Sequence, residues 1–465
     1  MARSVSLVFV LLASSPVVAQ SERYELGRRL KAFETAWEKQ DDPAARKRAL
    51  ADLPKVTTQF FALRLGEAGR TLDQATHALT TDIAPSLGRQ WVWSLSACPE
   101  SRILDGSARE LTVTIQPFYP IKGDMPKGLE FQLWFTNKDV VTIKPDKFPF
   151  TVKVPLPPLG ESPGLDRKLY FLADGAKELR PVAVGVSQIA DVRKRLDAIA
   201  AIKVTAKPPF TIETATAFAR AALIRDVLEP GSPLPPTDLP YADLLANAET
   251  MLDGKRFFTT AKHGQFWMSV PVGERMAVPC RVYIPKGLDK AKPVPIVFGL
   301  HGAGVDENMF FESYGAGQIV KECEKRGWVL VCPRSGFFDA PPLAAILESL
   351  TQRYPLDAKR VFLVGHSMGA MQALSAAAST QFAAVAALGG GTKPAKMEAF
   401  ATLPTFLGVG DQDGLALTGV RALKKTLTDS GAKAFTYKEY PGIEHLVIVR
   451  EALPDVFEMF DRVAR

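Results

Sequence analysis

The chain has 465 residues, 47% of them hydrophobic and 23% charged, and a formal net charge of +7. That length exceeds one ordinary domain and predicts two or three, while the composition excludes a disordered or fibrous protein. The positive excess is spread thinly and forms no Lys/Arg block, so no nucleic-acid partner is expected.

At the N-terminus Arg3 precedes an apolar run over 5–12, and small residues follow, ending Val17-Val18-Ala19. This is the pattern of a cleavable signal peptide over residues 1–19, cut after Ala19. The run is short for a membrane span, and no later segment approaches that length. The mature protein is therefore expected to be secreted or periplasmic, without an integral membrane span. Cleavage takes one Arg and no acid, so the formal charge falls from +7 to +6. Four cysteines (Cys98, Cys280, Cys323 and Cys332) are too few for a disulfide scaffold and lack the C-x-x-C pairs of a zinc ribbon. Buried thiols, or one incidental disulfide, are expected.

Leu26, Leu30, Phe33 and Trp37 recur at helical spacing, and Val56, Phe60, Leu63, Leu72 and Leu79 repeat the pattern less strictly. Asp42-Pro43 between them reads as a turn or helix start. A packed helical pair over 20–95 is the expectation. From Leu111 the period changes to two, with Val113, Ile115, Leu129, Phe131, Leu133, Val152 and Val154 on alternating positions and Pro/Gly clusters between the runs. Residues 96–190 are thus expected to form a small antiparallel sandwich. Helical patterning returns over 191–254, interrupted by the proline-rich stretch 229–236, which reads as a stiff linker ahead of the last domain.

Residues 255–465 read as strands alternating with helices, with strands at 265–270, 277–283, 295–300, 328–332, 360–364, 384–388, 405–409 and 435–440. The first two form a hairpin, and the later ones are apolar almost throughout, as in strands buried on both faces. The fifth runs into Gly365-His366-Ser367-Met368-Gly369 and then an alanine-rich helix. A serine hydroxyl attacks only when it is exposed, rigidly held and served by a base. A tight strand-to-helix turn meets the first two needs, so Ser367 is the expected nucleophile. An oxyanion needs two converging N–H donors. Met368 directly after the serine, and Ala303 in Leu300-His301-Gly302-Ala303-Gly304 after the third strand, are the candidates. Of five histidines, His77 and His263 lie away from strand ends. His301 is expected to shape its loop, and His366 to point away from the site. His445, after the eighth strand, remains as the base. Gly410-Asp411-Gln412-Asp413 ends the seventh strand with two acids; Asp413 is preferred as the third member, with Asp411 as the alternative.

On these residues the chain from about Lys255 to Arg465 resembles an α/β-hydrolase domain with catalytic order Ser367, Asp413, His445. Leu300-His301-Gly302-Ala303-Gly304 and Asp357-Ala358-Lys359-Arg360-Val361-Phe362 are similar to the polyhydroxybutyrate-depolymerase-like and feruloyl-esterase-like enzymes. The resemblance implies an eight-stranded sheet, the acid at Asp413, and hydrolysis of a carboxylic ester through an acyl-enzyme that needs no cofactor or metal. It covers under half of the chain. Only 389–403 separates strands six and seven, so no large lid fits there. An open site for bulky or polymer-attached esters is expected, with Gly389-Gly390-Gly391 at its rim. A peptidase of the prolyl-oligopeptidase type, a thioesterase and an inactive hydrolase-fold binding protein are the rival readings.

Overall fold

The computed structural model describes residues 16–173, 181–205, 207, 209–229, 232, 234–288, 292–336, 340–379 and 382–464. The apolar run over 5–12 lies outside the described residues, as do Pro230, Gly231 and Pro233 of the proline-rich stretch.

Five helices open the described chain: α1 (Pro16–Glu38), α2 (Pro43–Leu50), α3 (Pro54–Phe61), α4 (Leu65–Ala78) and α5 (Leu87–Ser94). Asp42 caps α2, its carboxylate accepting from the N–H groups of Ala44 and Ala45. The second helical stretch is not one helix. Leu63 takes φ 57°, a left-handed conformation that costs a branched side chain energy, and the turn there separates α3 from α4.

Eight strands follow: β1 (Leu95–Pro99), β2 (Ile103–Asp105), β3 (Glu110–Pro117), β4 (Phe131–Trp134), β5 (Val141–Ile143), β6 (Phe150–Pro155), β7 (Gly164–Ala173) and β8 (Val182–Ile189). They form two sheets, ordered β1-β3-β6 and β2-β8-β7-β4-β5. The inward residues of both, among them Val113, Ile115, Phe131, Leu133, Leu169 and Val184, share one core. All pairings are antiparallel except β2 with β8. The sandwich is therefore mixed rather than purely antiparallel.

Helices α6 (Val192–Thr205), α7 (Ile212–Leu228) and α8 (Tyr241–Leu252) lead into the largest sheet. Its strands are β9 (Gly264–Pro271), β10 (Ala277–Ile284), β11 (Val294–Leu300), β12 (Val329–Pro333), β13 (Leu356–His366), β14 (Ala384–Leu388), β15 (Thr405–Gly410) and β16 (Phe435–Tyr440), in the order β9-β10-β12-β11-β13-β14-β15-β16. Only the β9/β10 and β10/β12 pairs are antiparallel. The helices between and after these strands are α9 (Met309–Glu312), α10 (Gln318–Arg326), α11 (Leu343–Thr351), α12 (Met368–Ala377), α13 (Leu417–Asp429) and α14 (Ile448–Ala464).

Strands buried on both faces need cover on both sides. One face, carrying Ile296, Phe298, Leu363 and Leu407, packs on α7, α11, α12 and α13, and its apolar core continues into α6 and α8. The other, carrying Val297, Leu330, Phe362 and Phe406, packs on α10 and α14, and its apolar core continues beyond them into α1 through α4. The helical segments on either side of the sandwich thus share the sheet's two cores. Register aligns the carboxyl ends of the central strands, pairing Leu300 with Gly365, His366 with Leu388, and Gly410 with Tyr440. Ligand crevices of open α/β sheets lie at that edge.

Candidate active site

β13 ends at His366 and α12 begins at Met368, so Ser367 alone forms the turn, with φ 55° and ψ −117°. A non-glycine residue holds such a conformation only when its surroundings fix it. Here the Ser367 N–H donates to the Leu388 carbonyl at 2.9 Å. The flanking glycines are required by backbone contact. A Cβ on Gly365 would lie 2.1 Å from the Gly369 carbonyl oxygen, and one on Gly369 would lie 2.0 Å from that of Leu300.

Three side chains from three strand ends meet at this turn. The Ser367 hydroxyl donates to His445 Nε2 at 3.0 Å, and His445 Nδ1–H donates to Asp413 Oδ2 at 2.8 Å. Asp413 and His445 are both buried. The other Asp413 oxygen accepts the N–H groups of Leu415 and Ala416 at 3.1 and 2.9 Å. Burial pushes the Asp413 carboxyl up, but the hydrogen bonds from His445, Ala416 and Leu415 outweigh it and hold it below the ordinary carboxylate range. Asp411 turns elsewhere: its Oδ1 accepts from the Gly442 N–H at 2.7 Å and closes the turn after β16.

The loop after β11 lies against the serine, since a Cβ on Gly302 would sit 3.5 Å from Ser367 Cβ. Among the described residues, the N–H groups of Ala303 and Met368 have no acceptor. His301 holds this loop: its Nδ1–H donates to the Gly302 carbonyl at 2.8 Å, and its Nε2 accepts the Ser335 N–H at 3.1 Å.

Two expectations are corrected here. His366 does not point away from the site but lies beneath it, its ring centroid 4.8 Å from that of His445. Its Nε2–H donates to the His445 carbonyl at 2.9 Å, and its Nδ1 accepts from the Tyr314 hydroxyl at 2.8 Å. Tyr314 in turn accepts the Gly302 N–H at 3.2 Å. Burial, helped by repulsion from His445, drives His366 down to about 3 and keeps it neutral. One relay thus ties the loop after β11 to the backbone of the loop that carries His445. Tyr314 carried no sequence signal, because only the fold brings it beside His366. Gly389-Gly390-Gly391 is also not at a rim. A Cβ on Gly390 would lie 2.4 Å from the Ser367 carbonyl oxygen, so Gly390 is small because it passes under the Ser367 turn.

The lining of the site extends beyond the C-terminal part of the chain. Ser367 and His445 stand in a pocket of about 440 Å³ whose opposite wall comes from α1, α3, α4 and the 234–236 segment. Counting residues after strand six could not reveal a cover contributed by the other end of the chain. The proline-rich stretch accordingly contributes to this wall. Among the described residues, no group of three or more His, Cys, Asp or Glu side chains is placed to hold a metal ion, and no helix is long and apolar enough to cross a membrane. Cys280, Cys323 and Cys332 are buried thiols.

No family model matches the sequence, and no curated protein matches it. Solved structures do match the C-terminal part. The substrate-bound serine hydrolase FphF of Staphylococcus aureus is 13% identical, covering 44% of this chain and 98% of its own, with a TM-score of 0.36. The feruloyl esterase module of Clostridium thermocellum complexed with sinapinate is 16% identical over 43% of this chain and 88% of its own, with a TM-score of 0.35. LpqC, a poly(3-hydroxybutyrate) depolymerase of Bordetella parapertussis, is 15% identical over 45% of this chain and 99% of its own, with a TM-score of 0.36. The strand order and crossovers from β9 to β16 are those of the α/β-hydrolase fold, and the C-terminal part of the chain adopts it.

Proposed function

We propose that the protein is an exported serine esterase that hydrolyses carboxylic esters with apolar substituents. The observation that carries this reading is the unbroken line Ser367–His445–Asp413 facing an apolar pocket, beside two N–H groups without acceptors. His445 takes the Ser367 proton as Oγ attacks the ester carbonyl, and Asp413 holds the imidazole in the Nδ1–H tautomer and stabilises its charged form. The N–H groups of Ala303 and Met368 stabilise the oxyanion. His445 then protonates the leaving alcohol, and water releases the acid by the same steps in reverse. Export rests on the signal-like residues 1–19. It is compatible with α1, whose described core side chains, Tyr24, Leu26, Phe33 and Trp37, all follow Ala19.

The test is a panel of acyl and aryl esters, with blocked peptides alongside, assayed on the full chain and on Ser367→Ala. Ester turnover is expected to fall by about ten-thousandfold or more in the variant, with blocked peptides untouched by either protein. Undiminished hydrolysis by Ser367→Ala would sink the mechanism.

A further inference from the structure

The wall across from Ser367 belongs to the N-terminal helices, and it is mostly apolar, with Arg23 and Thr57 as its polar members. Leu26 and Leu30 of α1, Val56 and Phe60 of α3, and Pro235 and Pro236 line the pocket that Ser367 and His445 enter from the other side. The Phe60 ring passes so close to the loop after β11 that a Cβ on Gly304 would lie 2.6 Å from Phe60 Cζ. Gly304 also has φ +77°, so a side chain there is excluded on both counts.

This wall is fixed to the catalytic part, not laid loosely over it. Arg23 donates to the Gly304 carbonyl at 3.4 Å, the Glu34 carboxyl accepts the Gly315 N–H at 3.2 Å, and Trp37 Nε1–H donates to Glu451 at 3.2 Å. A Cβ on Gly27 would lie 2.4 Å from the Pro236 carbonyl oxygen, so α1 and the proline segment are also in backbone contact. An apolar chamber with fixed walls and a polar floor binds a hydrocarbon group and presents its ester to the floor.

We propose that α1 and α3 form the specificity wall of the esterase site, with Leu30, Val56 and Phe60 enclosing the apolar half of the ester. The substrate class is an ester carrying a hydrocarbon group of several carbons. The selection is made by residues more than 300 positions before the nucleophile. This inference rests on the reading of Ser367 as nucleophile and goes beyond it by naming what that nucleophile is offered.

The experiment uses the full chain and two ester series. In one, the acyl group grows on a fixed nitrophenol leaving group; in the other, acetate is fixed and the alcohol grows. In the series whose growing half occupies the pocket, kcat/KM of the wild type is expected to climb about fourfold per methylene until the pocket is full, then fall. Phe60→Ala removes wall and is expected to move that optimum to longer chains. Leu30→Trp fills the pocket and is expected to move it to shorter ones. Both positions are only half-buried, and the opposite directions separate pocket size from general damage. An optimum unmoved by either substitution overturns the specificity wall while leaving the Ser367 reading intact. A climb that continues unbroken through the longest chains, or none in either series, overturns it as well. Absence of hydrolysis with every ester, together with no Ser367 labelling by a fluorophosphonate, overturns both readings at once.

Discussion

Asp411 and Asp413 stand two positions apart after the same strand, yet their carboxylates face different loops. Asp413 meets His445 Nδ1 at 2.8 Å, whereas Asp411 accepts the Gly442 N–H at 2.7 Å. Asp413→Asn is expected to lower kcat by about four orders of magnitude, because an amide favours the wrong histidine tautomer. Asp411→Asn keeps an acceptor oxygen for Gly442, and its cost is expected to stay within about tenfold, a small perturbation of the turn. Steady-state kinetics of the two variants on one ester checks this, and the reverse order would move the acid to Asp411. Ser367, Asp413 and His445 were legible in the sequence because each sits where a strand ends, and a strand end can be read from an apolar run and a turn. The relay of His366 and Tyr314 was not. It depends on a side chain 52 positions away in the chain and on the direction in which a ring is turned. Neither leaves a periodic or local signature.

At the scale of elements, the strands of the central sheet were legible because burial on both faces writes an apolar run directly into the chain. The helices were legible as helices but not as cover. Leu26, Phe33 and Trp37 mark an apolar face on α1, and nothing in their spacing says what meets that face. It meets α4 and the Tyr314–Gly317 turn, touches α10 and α14 at its C-terminal end, and through them joins the core of the sheet. Trp37 is buried to 1% exposure and hydrogen-bonds Glu451 of α14. Trp37→Ala is expected to destabilise the protein by about 3–5 kcal/mol through the cavity and the lost contacts. Because α1 and the sheet share one core, the loss is expected to fall on both together. Denaturant unfolding followed by circular dichroism, with hydrogen exchange at α1 and β13 amides, measures it. Exchange in α1 through a much cheaper opening than β13, unaltered by the substitution, would mean the helix is an independent layer.

At the scale of the whole molecule, a pair of buried acids lies where the N-terminal helices meet the loop that carries His445. Glu34 of α1 and Glu444, next to His445, are both buried, and the charge of Glu444 disfavours ionisation of Glu34. Burial, and then the charge of Glu444, pushes Glu34 well above the ordinary value of 4.5; Arg450 and the Gly315 N–H only partly oppose this. Burial likewise pushes Glu444 up to about 7, against the N–H groups of Leu446 and Val447 and the attraction of His445. One Glu444 oxygen, Oε2, has no hydrogen-bond partner among the described residues, which suits a neutral carboxyl better than a carboxylate. The direction of the linkage follows from these raised values. The folded state holds protons that the unfolded chain has already lost, so this stabilisation is complete below about pH 4.5 and disappears as the pH rises through about 7. Asp413, held low, contributes in the opposite sense and only at more acidic pH. Glu444→Gln removes one of the two raised titrations while retaining an acceptor for Leu446 and Val447. The variant is therefore expected to gain on the wild type between pH 5 and pH 8, by on the order of 2–3 kcal/mol in unfolding free energy. Glu34→Gln is expected to change the slope with the same sign. Denaturant titrations of the three proteins at both pH values give the comparison, and the difference from wild type cancels every carboxylate they share. A difference that stays flat with pH would mean that Glu34 and Glu444 are ionised in the folded protein and that the joint between α1 and the histidine loop is held by packing alone.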